Sequence, residues 1–533
     1  MNKLPRLSLV FLVLTILPCG FGLRTLFSAE RLAASAVNSI VEDDFRKHIT
    51  YLSSDVLEGR EAGSAGSKAA AAYLAEKFNE YQLEPAGEKH RYEQHFGQDY
   101  RNLLGFLPGT DENLKQEVIV IGAHYDHVGY GYSGNGLGPV GQIHNGADDN
   151  ASGVSAMLEI AQALHDSKLP LRRSVLFACW DGEEIGLLGS RHWTANPTLE
   201  FSRVKFYINL DMVGRLRNNR LEVYGSRTGT GLRRLFANLN QEGLEADFNW
   251  DIIPDSDHYS FVQREVPFLM PFTGKHPDYH RPSDDANTLN YTGVEKVTRH
   301  WLRILVELAN RDTLPKYRPQ GRRENERLRA RTEAEQTPSR SRLGISWRSE
   351  ESDPQKVLTI RNIAYPSPAW TAGLRTGDQI LKLNGKPFED TSGFVADIRV
   401  AARKSVFTVR KLSQDREEAD ASQEIEVILS GDPDLVGIAW KTDRADEQSL
   451  VISEVTAGAP AAEAGLRAND RLLAIEGVQI ESAKAGKEVL SQDKAKFSIR
   501  FERDGRPHET TLSPLKLLSP PEKSDISTSD STS

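Results

Sequence analysis

The sequence predicts an α/β fold, a mostly parallel sheet with helices on both faces, followed by two small repeated domains. Three observations carry that expectation. Apolar runs unmixed with polar residues alternate with helix-period segments between about residues 42 and 310, the pattern of strands covered on both faces. Histidines and acidic residues gather where those runs end. An AGLR element recurs 92 residues apart, at Ala372 and Ala464, inside two longer matching stretches.

The elements follow in order. "DDFRKHITYLSS" and "GSKAAAAYLAEKFNEY" have helical spacing, the second with Ala-rich propensity. "QEVIVIGAHYDH" is a first strand, "ASGVSAMLEIAQALHDS" a small-residue helix and "RRSVLFACWDGEE" a second strand. "VKFYINLDMVG", "NRLEVYGS" and "VPFLMPFTG" make a third, fourth and fifth strand, and "VEKVTRHWLRILVELAN" closes the block as an amphipathic helix. Composition then changes: 315–341 is Arg-rich, poor in large apolar residues and reads as a linker or solvated helix. The repeats occupy 342–431 and 432–516, and 517–533 has the composition of a disordered tail.

The 533 residues carry a net charge of -9, with 39% hydrophobic and 26% charged residues. That balance excludes a strongly basic nucleic-acid binder. The basic start "MNKLPR", the apolar run "LSLVFLVLTIL" and the small residues of "RLAASA" make 1–36 a signal peptide or anchor, with cleavage placed after Ala36. The chain is therefore expected to be exported, periplasmic or extracellular, touching a membrane only through that segment if it stays uncleaved. Of the two cysteines, Cys19 lies in the leader, so Cys179 has no internal disulfide partner and reads as a buried, inert thiol.

The residues 37–314 form the expected catalytic block. His124 and Asp126 end the first strand, Asp148 and Asp149 introduce the next helix, Glu183 and Glu184 end the second strand, Asp211 ends the third, and His276, His280 and Asp284 follow the fifth. In an open parallel sheet the carboxyl ends of the strands face one crevice. Imidazoles and carboxylates delivered there by separate segments suit divalent metal, and a shared carboxylate can hold two ions roughly 3.5–4 Å apart. An adjacent acid that binds no metal can take a proton from water, which gives the Glu183–Glu184 pair a meaning beyond a solvated turn.

In that order, "HYD", "GADDNASG", "WDGEEIGLLGS", "NLDM" and "YHRPSDD" resemble metallopeptidase family 28, which includes di-zinc aminopeptidases, glutamate carboxypeptidase II and glutaminyl cyclases; the likeness covers roughly 44–312. It implies the zinc aminopeptidase (phosphorylase/hydrolase-like) fold, two Zn²⁺ ions, and His124, Asp149, Glu184, Asp211 and His280 as their ligands, with Asp149 bridging. Glu183 is implied as general base, Asp126 and Asp284 as groups orienting His124 and His280, and Tyr279 as an oxyanion donor. The implied reaction is hydrolysis of N-terminal peptide bonds in peptides or proteins by metal-activated water. His127 and His144 are placed at the rim of the site, and His258 has no ligand role. The presence of His124 argues against a glutaminyl cyclase. A dipeptidase or carboxypeptidase on the same scaffold, and an inactive scaffold protein, are the alternatives.

The repeats resemble PDZ domains, small partly open β-barrels. "RLGI" and "LVGI" stand where that family binds a carboxylate, so Gly344, Ile345, Gly437 and Ile438 are the implied peptide-binding positions, and protein C-termini the implied partners.

Overall fold

A computed structural model of the chain describes residues 30–132, 134–334, 341–348, 357–388, 390–412, 422–480, 482–490, 492 and 494–521. The chain divides into two compact units, one ending at Asn325 and the other beginning at Glu326.

The first unit is built on a nine-stranded sheet: β1 (Glu84–Pro85), β2 (Glu93–Phe96), β3 (Tyr100–Leu107), β4 (Val118–His124), β5 (Ser174–Trp180), β6 (Val204–Asn209), β7 (Arg220–Tyr224), β8 (Glu245–Phe248) and β9 (Phe268–Phe272). Their order is β1-β3-β5-β4-β6-β9-β7-β8, with β2 on β3. The central β5, β4, β6 and β9 are parallel, and all seven residues of both β4 and β5 are buried, as their unbroken apolar runs require. The flanks differ from a mostly parallel sheet. β3 joins β5, and β7 joins β9, in antiparallel register, so the sheet is mixed outside its centre.

Helices cover both faces. Seven matter: α1 (Glu42–Leu52), α2 (Ala65–Glu80), α3 (Gly153–Ser167), α4 (Leu188–Ala195), α5 (Leu232–Leu239), α6 (His258–Val262) and α7 (Tyr291–Asn310). On one face Ile119, Ile121, Phe177 and Ile208 pack with Phe45, Leu74, Leu158 and Trp301 of α1, α2, α3 and α7. On the other, Val120, Leu176, Trp180 and Tyr207 meet Trp193 of α4 and Phe261 of α6. The alternation along β4 and β5 sends successive side chains to opposite layers. Local signals set the helix starts: Ser64 Oγ accepts from Ser67 N at 3.1 Å ahead of α2, and Asn290 Oδ1 from Gly293 N at 3.0 Å ahead of α7. The basic pair before β5 is structural. Arg173 is buried, pairs with Glu117 at 2.7 Å and donates to the carbonyls of Leu308 and Arg311 at the end of α7.

Two expected boundaries shift. Residues 30–39 are helical with Ala36 and Val37 buried, so the boundary after Ala36 falls inside a packed helix. Residues 315–325, expected as linker, are packed on the first unit: Arg318 is buried, and with Arg227 it clasps Glu324. Arginine content misled there because the buried Arg318 guanidinium has both an acid, Glu324, and a carbonyl, that of Arg227, to satisfy it. Among the described residues no helix is long and apolar enough to cross a membrane. Residues 1–29, with the apolar leader run, lie outside the described residues.

The second unit opens with α8 (Glu326–Glu333) and contains two antiparallel six-stranded sheets. The first holds β10 (Ile345–Arg348), β11 (Leu358–Ile363), β12 (Gln379–Leu383), β13 (Lys386–Pro387), β14 (Lys404–Arg410) and β15 (Ser422–Ile428), with α9 (Thr391–Val400). The second holds β16 (Ile438–Asp443), β17 (Asp446–Val455), β18 (Arg471–Ile475), β19 (Val478–Gln479), β20 (Phe497–Arg503) and β21 (Arg506–Leu512), with α10 (Ala483–Leu490). β10 and β16 stand at corresponding sheet edges. Leu518, expected within a disordered tail, instead returns to the first repeat: it bridges to Ala401, donates to Val400 O and accepts from Ala402 N and Asn384 Nδ2. Most of the remaining tail, 522–533, lies outside the described residues.

Candidate metal centre

The parallel strands deliver the site. His124 is the last residue of β4, Asp211 follows β6, Glu183 and Glu184 follow β5, and His280 lies beyond β9. Asp149 sits in the turn before α3. Two groups of ligand atoms result. His124 Nε2 lies 3.3 Å from Asp149 Oδ1 and 3.5 Å from Asp211 Oδ1. His280 Nε2 lies 3.0 Å from Asp149 Oδ2 and 3.2 Å from Glu184 Oε2. Asp149 thus offers one oxygen to each group.

These residues fit a divalent ion. His124, Asp149 and Asp211 present ligand atoms all within 4.8 Å of one another. Asp211 Oδ1 is buried without a hydrogen-bond partner, an arrangement that costs free energy unless something positive meets it. Mixed imidazole and carboxylate donors suit zinc. His124 and His280 are driven well toward their charged forms by the surrounding carboxylates, which overcome burial acting the other way; His280 is pushed up to about 11. A cation shared among those carboxylates answers the same electrostatic demand.

The two neighbouring glutamates have different surroundings. Burial and Asp149 raise the Glu184 carboxyl, but hydrogen bonds from His127 and His280 outweigh them and hold it below the usual carboxylate range. Burial first, then Glu184, Asp257 and Asp211, push Glu183 well above that range. Glu183 lines a pocket of about 490 Å³, counting space open to solvent, together with His124, Asp149, Asp211, Tyr279 and His280.

Asp126 accepts from Glu183 N at 3.1 Å and Glu184 N at 3.3 Å, and its carbonyl lies 3.2 Å from His124 Nδ1. It therefore fixes the glutamates as well as the imidazole. Asp284 does not orient His280: its Oδ2 accepts from Asp148 N and Asp149 N at 2.9 and 3.1 Å, while Arg215 lies 3.3 Å from Oδ1. The partner of His280 Nδ1 is the carbonyl of Asn135, at 2.8 Å. A backbone acceptor leaves no trace in side-chain identity. Tyr279 stacks on His280, with ring centroids 3.8 Å apart, and lines the pocket.

His127 and His144 are not at a rim; both are fully buried. His127 Nδ1 lies 2.8 Å from Glu184 Oε1, and His144 Nδ1 lies 2.9 Å from Gln142 O. His258 stacks on Phe268, and burial pushes it down to about 4. His276 pairs with Asp148 at 3.2 Å.

Sequence reasoning missed Asn135, Arg60 and Ser256. Arg60, buried, donates to the carbonyls of Leu52, Tyr125, Asn145 and Gly146, tying the His124 and Asp149 segments together. Ser256 Oγ donates to Asp211 Oδ2 at 2.6 Å and accepts from Asn209 Nδ2 at 2.7 Å. The pocket's apolar wall, Met212, Tyr224, Met270 and Phe272, was missed as well.

Comparison with known proteins follows this geometry. Residues 102–305 match Peptidase family M28, and 341–427 and 451–503 each match a PDZ domain. The leupeptin-inactivating enzyme 1 of Streptomyces exfoliatus is 35% identical over 114 residues, covering 21% of this chain and 22% of that protein. Leucine aminopeptidase 2 of Trichophyton rubrum is 30% identical over 239 residues, 39% of this chain and 44% of that one. The chain therefore spans less than half the length of either relative. The crystal structure of a zinc aminopeptidase from Bacillus subtilis is 16% identical, with a TM-score of 0.42 over 51% of this chain and 96% of that one.

Proposed function

Residues 102–305 are a peptidase family M28 domain and two PDZ domains follow it, and from that premise we propose that the chain is an exported di-zinc aminopeptidase. The observation that carries the proposal is the division of Asp149 between two ligand groups, with Glu183 beside them in the same pocket. His124, Asp149 and Asp211 would hold one ion; Asp149, Glu184 and His280 the other.

When bound, the ions supply Lewis-acid polarisation of the scissile carbonyl and a water of lowered pKa. Glu183 takes the proton of the attacking water on its carboxylate and passes it to the departing nitrogen, a task suited to a carboxyl that burial raises above the ordinary carboxylate range. The Tyr279 hydroxyl donates toward the oxygen of the tetrahedral carbon. Asp126 keeps both glutamate N–H groups in place, and Asp284 does the same for the Asp149 backbone. Asp255, the pocket carboxylate with no metal or proton-transfer role, favours a substrate with a free ammonium, and Met212, Tyr224, Met270 and Phe272 favour an apolar first side chain.

Lys275, also on the pocket wall, is the observation that favours the second reading, a carboxylate-recognising exopeptidase on the same scaffold. Asp255, on the same wall and outside the proposed ligand set, offsets its charge. Aminoacyl, N-blocked and C-terminal glutamate substrates, with and without chelator, separate the two. Cleavage of free-amine substrates alone, lost on chelation, is expected; cleavage of N-blocked substrates overturns the aminopeptidase reading. Export rests on the basic and apolar leader composition, and N-terminal sequencing of the protein from the periplasm or medium tests it.

A further inference from the structure

The two PDZ domains carry the same loop with different chemistry in it. Gly344 and Gly437 precede the edge strands β10 and β16, with φ of +79° and +80°. A Cβ would lie 2.4 Å from Ser367 Cβ at the first and 2.2 Å from Ala459 Cβ at the second, so both loops need glycine and have the same backbone shape. Three residues before each glycine the chains diverge: Ser341 in the first loop, Asp434 in the second.

That position faces the backbone N–H groups available to an incoming carboxylate. Ser341 Oγ accepts from Leu343 N at 3.4 Å and Gly344 N at 3.3 Å, long bonds to a neutral oxygen. Asp434 Oδ1 accepts from Val436 N at 3.2 Å and Gly437 N at 2.6 Å, so the second loop already cradles a carboxylate of its own chain. Asp434 is held there from behind, its N–H donating to Arg399 O at 2.9 Å. The strand beside this loop is engaged as well: Lys441 of β16 donates to Thr332 O of α8 at 2.6 Å and to Asn469 Oδ1 at 2.9 Å.

We propose that the first PDZ domain takes the α-carboxylate of a peptide C-terminus, and that the second is closed to it by Asp434. This rests on reading the domains as binders of peptide C-termini. A peptide carboxylate can displace a rotatable, weakly bonded hydroxyl. In the second loop it meets donors already taken and a like charge within a few ångströms, which disfavours binding on both counts. β10 and β16 both stand at sheet edges, where a strand can add, so the edges do not distinguish the domains; the residue three before the glycine does.

The test uses the full chain and capped, fluorescein-labelled peptides of one sequence ending in Ala, Val, Leu, Ile or Phe, each as free acid and as amide. The N-terminal cap removes them as aminopeptidase substrates. Anisotropy and calorimetric titration should show one site per chain for the best free acid, and amides weaker by about tenfold or more. Ser341→Asp should abolish that site, while Ser341→Ala, which adds no charge, should keep it. Asp434→Asn and Asp434→Ser should each add a second site. Two sites in the unaltered chain, or a single site unaffected by Ser341→Asp, overturn the asymmetry and leave peptide binding standing. No binding of any free acid overturns peptide binding itself.

Discussion

Asn135 holds Glu184 at two points: its Nδ2 lies 2.8 Å from the Glu184 carbonyl and 2.8 Å from Glu184 Oε2. Its own carbonyl takes the Nδ1 of His280, so one loop residue fixes two of the proposed ligands. Outer groups of this kind typically set metal affinity by about 10–100-fold. Asn135→Ala should weaken metal binding by that order in a chelator competition, while turnover at saturating zinc falls less. Unchanged affinity would show that the loop merely abuts the site.

Glu183 and Glu184 should separate in metal content. Glu183→Gln is expected to keep both ions by elemental analysis and to lose about 10²–10⁴-fold in kcat, the usual worth of a positioned general base. Glu184→Ala should lose one ion first, with His127 deprived of its 2.8 Å carboxylate partner. Equal metal loss in the two variants would remove the distinction between base and ligand.

Removing metal should also lower stability. The carboxylates of Asp149, Glu184 and Asp211 crowd two imidazoles in a buried space, and a bound ion stabilises the folded state by mass action. Chelation is expected to lower the Tm and abolish activity together, and zinc to restore both. A Tm indifferent to chelation would argue that no ion sits among these residues.

The clasp at Glu324 should matter to the first unit although it lies beyond the last helix of the block. Arg227 and Arg318 both reach Glu324. Glu324→Ala leaves two buried guanidinium groups poorly satisfied and should cost about 1–3 kcal/mol, measured by denaturant unfolding of a fragment ending at Asn325. A fragment ending at residue 314 should be less stable than one ending at 325.

Cys179 is buried on β5, and burial pushes its thiol far above the usual range. A thiol reagent at neutral pH should leave Cys179 unmodified in the folded protein and label it in denaturant. Rapid labelling of the native chain would mean that β5 opens.

The centre of the sheet was legible because buried parallel strands are written as unbroken apolar runs, as in β4 and β5. β2 was not: its four residues, Glu93 to Phe96, include only one buried position and pair as an antiparallel flank. Most of the site was legible for a related reason, since a parallel sheet brings the residues at its strand ends together. What escaped reading acts through the backbone or from irregular loops. Asn135 meets His280 with a carbonyl, Arg60 spends its donors on four carbonyls, and Asp284 serves two N–H groups where an imidazole was expected.

The bond between Leu518 and the 400–402 segment bears on the order in which the protein is made. The first unit is finished once its own residues have left the ribosome and can fold during synthesis. The first repeat cannot be finished at that stage, because the acceptor for Ala402 N–H and one for Asn384 belong to residue 518. Its last hydrogen bonds wait for residue 518, so the first unit can fold before the repeat pair is complete.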